Sequence, residues 1–173
     1  ASGIDGLCYS FDDVDDYIQI DSVDVETVST LIDFTNVSTV QYFFGMPTVQ
    51  GLRYNGSTFL AYGDVGVGST VAWTKQSGFV LFTAVKSEND WLIYINGTYI
   101  GTSVGAGNIN ITLIGKRADN AYYFNGKMQD VRIFNRALTV AEIKTLYDLK
   151  ATTNKMKITE HGIYISGEFD ETL

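Results

Sequence analysis

The chain has 173 residues, 45% of them apolar and 18% charged, with a formal net charge of −8. That length suffices for one full hydrophobic core and is short for two domains, and the composition is neither that of a disordered chain nor that of a membrane-spanning one. No apolar run approaches the roughly 20 residues of a spanning helix, and the acidic balance argues against nucleic acid and anionic membrane surfaces, which are held mainly through Lys and Arg.

The chain opens at Ala1 with no methionine and no basic-then-apolar leader, as a processed chain or an excerpt from a longer one would. "LCYSF" and "YIQI" read as strands on either side of the acidic turn "DDVDD". Cys8 is the only cysteine, so an intrachain disulfide or thiolate metal cluster is excluded, and its neighbours Leu7 and Tyr9 suggest a small buried side chain. "TVSTLIDF", "VQYFFG", "FVLFTAVK" and "NITLIG" are further strands, rich in β-branched and aromatic residues. Three Asn-Gly pairs, in "LRYNGSTF", "IYINGTYI" and "YYFNGKMQ", predict two-residue type I′ hairpins, because that turn needs positive φ at both central positions.

In "WLIYI", Trp91, Ile93 and Ile95 point one way while Leu92 and Tyr94 point the other. A strand apolar on both faces is covered on both faces. The prediction is therefore all-β: a two-sheet antiparallel β-sandwich or jelly roll. Along "KMQDVRIF", simple alternation puts Val131 and Ile133 on one side and Met128, Asp130, Arg132 and Phe134 on the other. Asn135 and Arg136 are placed to tie the corner that follows. Thr139 is an N-cap with Glu142 three residues on, a capping box, and Leu138 and Ile143 occupy the positions of a hydrophobic staple. Ile143, Leu146 and Tyr147 continue as one apolar stripe, so a single short C-terminal helix lies on the sandwich. Residues 1–150 form the jelly roll. Residues 151–173 follow as a polar linker and a strand–turn–strand tail, "MKITEHGIYISGEF", either a final hairpin of the domain or an arm toward a neighbour. The single histidine, His161, falls in that tail, which excludes His-rich zinc sites and any Ser-His-Asp triad not built on it.

Two stretches together resemble the laminin-G-like modules of the concanavalin A-like lectin/glucanase class. "YSFDDVDDYIQI" is similar to that family's early strand pair, with Asp13 where the family usually has Gly. Aspartate tolerates left-handed backbone better than most residues, so the turn can survive. "IGKRADNAYYFNGKMQDVRIFNRALTVAEIKTLY" is similar to its closing signature, and "DWLIYINGTYIG" to its Asn-Gly hairpin. The resemblance spans roughly residues 5–149 and implies a concanavalin A-like jelly roll. Members usually carry a further strand before this point. The tail Met156–Phe169, an upstream segment or another subunit would fill that edge.

The family's glucanases use a Glu-x-Asp-x(-x)-Glu strand. Here Asp24 and Glu26 have strand spacing but Val28 stands where the third carboxylate would be. Glu168 and Asp170 lie at the end of the chain. The sequence therefore reads as non-catalytic. Relatives often hold a structural calcium, which the resemblance would place at Asp130 with Asp12 or Asp13; the competing reading is a solvated acidic turn, since "DDVDD" lacks EF-hand spacing. For a glycan, aromatic faces beside amides and carboxylates select Tyr62, Asp64 and Trp73 around "YGDVGVGSTVAWTK", and Asp119, Asn120, Tyr122 and Tyr123 in "KRADNAYYFN". Two readings of function follow: a carbohydrate-binding recognition module of a larger extracellular or virion protein, or a structural decoration or fibre domain on a viral particle or cell surface. In the second, the module docks to neighbouring protein subunits as a homo-oligomer or as part of a larger assembly. The resemblance implies neither membrane insertion nor nucleic-acid binding.

Overall fold

The computed structural model describes residues 8–35, 39–48, 50–149, 158–159 and 162–165. Its strands are β1 (Tyr9–Asp12), β2 (Ile18–Val25), β3 (Thr27–Phe34), β4 (Gln41–Gly45), β5 (Gly51–Tyr54), β6 (Thr58–Tyr62) and β7 (Val71–Ala72). They continue as β8 (Val80–Ser87), β9 (Asp90–Ile95), β10 (Thr98–Ser103), β11 (Ile109–Ile114), β12 (Asn125–Phe134), β13 (Ile158–Thr159) and β14 (Gly162–Ile165), with one helix, α1 (Val140–Leu149), between β12 and β13. All pairings are antiparallel. One sheet runs β10-β9-β8-β3-β12-β14-β13 with β1 also on β12, and the other runs β2-β11-β4-β5-β6-β7.

The faces of the two sheets enclose a core centred on Phe34, Phe43, Phe59, Phe82 and Phe124, all essentially buried. Besides Phe124, Phe34 has four other aromatic rings within about 6 Å, Phe43, Tyr54, Phe59 and Trp73. The predicted two-sided character of β9 is observed. Trp91, Ile93 and Ile95 enter this core, while Tyr94 and Leu92 join Val85, Phe134, Leu138 and Ile143 in a second cluster on the other side of the sheet. Helix α1 exists to cover that second cluster. Its capping box is formed, with Thr139 N donating to Glu142 Oε2 at 2.8 Å and Glu142 N to Thr139 Oγ1 at 3.3 Å. Arg136 Nη2 ties the same carboxylate to the corner at 2.6 Å, and Leu138 N donates to Thr27 Oγ1 of β3.

The three Asn-Gly pairs part company. Asn96-Gly97 is the expected two-residue turn, both residues at positive φ (52° and 76°) with Ile95 opposite Thr98. Asn55-Gly56 lies in a longer loop, because Tyr54 pairs with Phe59 and the Asn55 side chain accepts from Ser57 N and Thr58 N. Asn125-Gly126 is no turn at all. It opens β12, where Gly126 sits between Phe34 of β3 and Phe11 of β1. A Cβ there would collide with the Asp33 carbonyl oxygen and the Phe124 ring, so close packing rather than turn geometry demands glycine.

Alternation along β12 also fails at one point. The register with β3 shifts between Gln129 and Arg132, and Asp130 has φ 53°, so an extra residue bulges out of the strand. As a result Met128 packs in the main core together with Val131 and Ile133, not opposite them, and Phe134 alone of the predicted outer set reaches the second cluster. The far edge of β12 is shared: β1 pairs with Asn125–Met128 and β14 with Val131 and Arg132. Cys8 is buried as expected. His161 lies outside the described residues.

Removing the methyls of Ile143, fully buried beneath α1, is expected to cost about 2–5 kcal/mol for Ile143→Ala in a denaturant titration. The capping carboxylate gives a second expectation. Its bonds to Arg136 and Thr139 hold the Glu142 carboxyl down at about 2 against an ordinary 4.5. A depressed acid contributes stability that is full above its unfolded value and is lost as pH falls through the folded one. Between about pH 4.5 and 2 the wild type should therefore lose stability more steeply than Glu142→Gln, with high salt flattening the difference.

Candidate functional site

Strands β2 and β11 pair along their length, Val25 opposite Ile109 at one end and Ile18 opposite Ile114 at the other, about 17 Å apart. Beyond Ile114, the β11–β12 loop (115–124) meets the β1–β2 loop (13–17) and the start of β4. Four backbone bonds stitch this rim: Gly115 N to Phe43 O, Phe124 N to Gly115 O, Asp13 N to Phe124 O and Tyr42 N to Tyr122 O. Asp13 has φ 69°, so aspartate does take the left-handed conformation the sequence asks of it.

Four tyrosines and two cations interleave here. Lys116 Nζ lies 3.5 Å from the centre of the Tyr17 ring and 5.8 Å from that of Tyr123, and donates to Asn120 Oδ1 at 2.7 Å. The Arg117 guanidinium stacks 4.2 Å from the Tyr122 ring centre and 5.6 Å from that of Tyr42. Asp119 grips Arg117 with both oxygens, at 2.8 and 2.5 Å, and that bond is the main reason its carboxyl titrates below the usual range. Tyr17 and Tyr122 are each 44% exposed. Tyr122 and Asn120 both have φ 56°. For a bulky tyrosine this is a strained backbone, and such strain persists only where surrounding structure enforces it.

On the same rim, carboxylate oxygens of Asp12, Asp15 and Asp16 all lie within 4.8 Å of one another. This Asp-rich surface cluster can coordinate a metal ion; three carboxylates offer up to six oxygens, near the number that calcium takes. Asp13 is not in the group, and its carboxyl titrates upward through desolvation and the neighbouring Asp12 charge. Asp130 is not in it either, being locked to Arg132 at 2.7 and 2.6 Å.

At the other end of β2 and β11 a cleft of about 270 Å³ is lined by Asp24, Glu26, Asp64, Asn108 and Asn110. Asp64 accepts from Asn108 N and Nδ2 at 2.7 and 2.8 Å, and those bonds lower its pKa. Asp24 and Glu26 both line this cleft, but β2 ends at Val25, and Glu26 sits at the bend with its carboxylate on Lys86 at 3.0 Å.

The residues singled out in the sequence are thus divided. Asp119, Asn120, Tyr122 and Tyr123 gather at the tyrosine rim beside Asp12. Asp64 lies at the opposite cleft. Trp73 is turned onto the core, stacked on Phe59 at 5.1 Å, and Tyr62 is half-buried at the end of β6. Tyr17, Tyr42, Lys116 and Arg117 were not singled out. The signal for the two cations was "GKR" directly after an apolar strand in an acidic chain.

The laminin-G-type model described as "Concanavalin A-like lectin/glucanases superfamily" matches residues 13–144. No curated protein matches the sequence. Among solved structures, a candidate carbohydrate-binding protein from Bacteroides ovatus is similar at 16% identity and TM-score 0.59, over 80% of this chain and 46% of that one. The chain therefore spans about half of that protein's length. A heptameric SAP-like pentraxin from Limulus polyphemus is similar at 18% identity and TM-score 0.58, over 85% and 84% of the two chains. Domain 4 of an extracellular arabinanase from Geobacillus stearothermophilus, solved with arabinotriose, is similar at 16% identity and TM-score 0.57, over 85% and 79%. The fold is one used for carbohydrate recognition by binding proteins and by enzymes alike.

Calcium at millimolar concentration is expected to raise the melting temperature, a chelator to reverse the rise and Asp15→Asn to abolish it, because a ligand that binds only the folded state stabilises it. An unchanged melting curve would leave Asp12, Asp15 and Asp16 as an acidic turn that holds no ion.

Proposed function

Because the chain belongs to the Concanavalin A-like lectin/glucanases superfamily, we propose that it is a non-catalytic recognition module that binds carbohydrate at the tyrosine rim, within a larger extracellular or virion protein. The observation that carries this reading is Tyr122: its backbone is held at positive φ, its ring stands 44% exposed, and the Arg117 guanidinium stacks on it. A buried-core role would need neither the strain nor the exposure. Flat aromatic faces take the apolar C–H face of a sugar ring, while Asn120 and the aspartates of the neighbouring loop offer hydrogen-bond acceptors to its hydroxyls. That a similarly folded arabinanase domain was solved with arabinotriose supports the choice of ligand class.

The reading is non-catalytic because glycoside hydrolysis uses two carboxyl groups flanking one bond. Asp24 and Glu26, the mid-chain pair with strand spacing, line one cleft, but Glu26 is engaged by Lys86 and Val28 stands where a third strand carboxylate would be. No described helix is long and apolar enough to cross a membrane; placement at a cell or virion surface is part of the proposal.

A glycan array should show saturable binding to one saccharide class. Against the best saccharide, Tyr122→Ala is expected to weaken affinity at least about tenfold, the effect of losing an aromatic anchor worth more than about 1.4 kcal/mol. Tyr99→Ala, an exposed tyrosine on β10 away from the rim, should leave it unchanged. Equal loss in both variants, or no binding to any saccharide, would reject the site.

A further inference from the structure

Lys116 is the most enclosed cation among the described residues. Lys86, Arg117, Arg132, Arg136 and Lys144 each have a carboxylate partner: Glu26, Asp119, Asp130, Glu142 and Asp148. All five are half-buried or exposed, whereas Lys116 is 6% exposed. Arg53 and Lys75 also have no carboxylate partner, but both are half-buried, so Lys116 is the one nine-tenths-enclosed cation among the described residues and no carboxylate pairs it. Its ammonium has three donors. One goes to Asn120 Oδ1; the Tyr17 and Tyr123 rings face the charge but offer π density rather than oxygen acceptors. Buried charges are ordinarily paired, because removing an ion from water is costly unless an opposite charge or a full set of hydrogen bonds replaces it.

We infer that Lys116 anchors an anionic group of the ligand, so that the saccharide taken at the tyrosine rim is an acidic one, carrying a carboxylate. The inference rests on the rim being a saccharide site. The carboxylate completes the ion pair that Lys116 lacks, with Tyr17, the more exposed member of its aromatic enclosure, moving aside to admit it. The ring of the sugar then lies toward Tyr122, whose cation Arg117 follows Lys116 directly in sequence. The acidic residues nearby shape how such a site behaves. Asp12, Asp15 and Asp16 share the rim, and the backbone of Asp16 lies against Gly115. They repel an anion at long range, so affinity must arise from close contact at Lys116. Salt screens the long-range repulsion more than it screens an enclosed pair. Binding of the acidic sugar should then hold or strengthen between about 50 and 500 mM salt, the reverse of an exposed basic patch.

The test uses the full chain with labelled lysine, following the Lys116 side-chain resonances by NMR. The probes are methyl uronides of the gluco, galacto and manno series, the matching neutral methyl glycosides, and acetate. The expected result is a saturable shift of Lys116 with at least one uronide, bound at least about tenfold more tightly than its neutral partner. Lys116→Gln should erase that preference and Lys116→Arg retain part of it. Equal affinity for acidic and neutral members, or a preference that survives Lys116→Gln, overturns the inference and leaves the rim a saccharide site. A saturable shift with acetate but with no saccharide leaves an anion pocket and overturns the saccharide reading. Lys116 resonances indifferent to every probe overturn the inference directly, on the unsubstituted chain, even if Lys116→Gln does not fold.

Discussion

The rim depends on the burial of one side chain. Phe124 is fully enclosed, with its ring 5.6 Å from Phe11 and 5.5 Å from Phe34 at edge-on angles. Its amide donates to Gly115 and its carbonyl accepts from Asp13. A single residue therefore plants the end of the β11–β12 loop in the core and fastens the β1–β2 loop to it. Everything proposed for function hangs from that anchor: Tyr122 is thrust outward two residues before it, Lys116 and Arg117 leave Gly115 on the other side, and Tyr17 and the aspartates ride on the loop that Asp13 begins. A rigid scaffold presenting polar and aromatic groups from loops is how binding sites are commonly built.

A second constraint shapes the opposite side of the molecule. A sheet apolar on both faces cannot leave one face to water, and the cluster of Val85, Leu92, Tyr94 and Phe134 is closed by α1. The helical end of the family signature thus covers this face of the sheet. The signature's Asp130–Arg132 pair and the bulge between them set the edge of β12, where β1 ends and β14 takes over.

How much of this was legible follows from how local each cause is. The capping box at Thr139 and Glu142 and the turn at Asn96-Gly97 depend on neighbours within a few residues, and both were readable. So was the two-sided character of β9, because alternation alone exposes it. Asn125-Gly126 looks the same as Asn96-Gly97 in sequence, yet glycine is needed there for the approach of Asp33 and Phe124, residues brought together only by the sheet. The bulge at Asp130 leaves no mark in residue type, and it reversed the face of Met128. Of the proposed site, the grouping of the aromatic and amide residues in 119–123 was legible. Its cationic half was not, since Tyr17 and Lys116 are distant in the chain and meet because β2 pairs with β11. Trp73 was misleading for the ordinary reason that a large aromatic beside a glycine-rich loop is as good a core residue as a ligand platform.

Two regions at opposite ends of the β2–β11 pair therefore compete as ligand sites: the strained tyrosine rim, and the cleft of Asp24, Asp64 and Asn108 with its carboxylates and amides. Only the first combines exposed aromatics with an enclosed cation and enforced backbone strain. Mapping amide chemical shifts of the labelled domain as a bound saccharide is titrated in would decide between them. Perturbations should concentrate in residues 13–17 and 115–124. Perturbations centred on residues 24–26, 64–67 and 104–110, with the rim silent, would contradict a site at the rim.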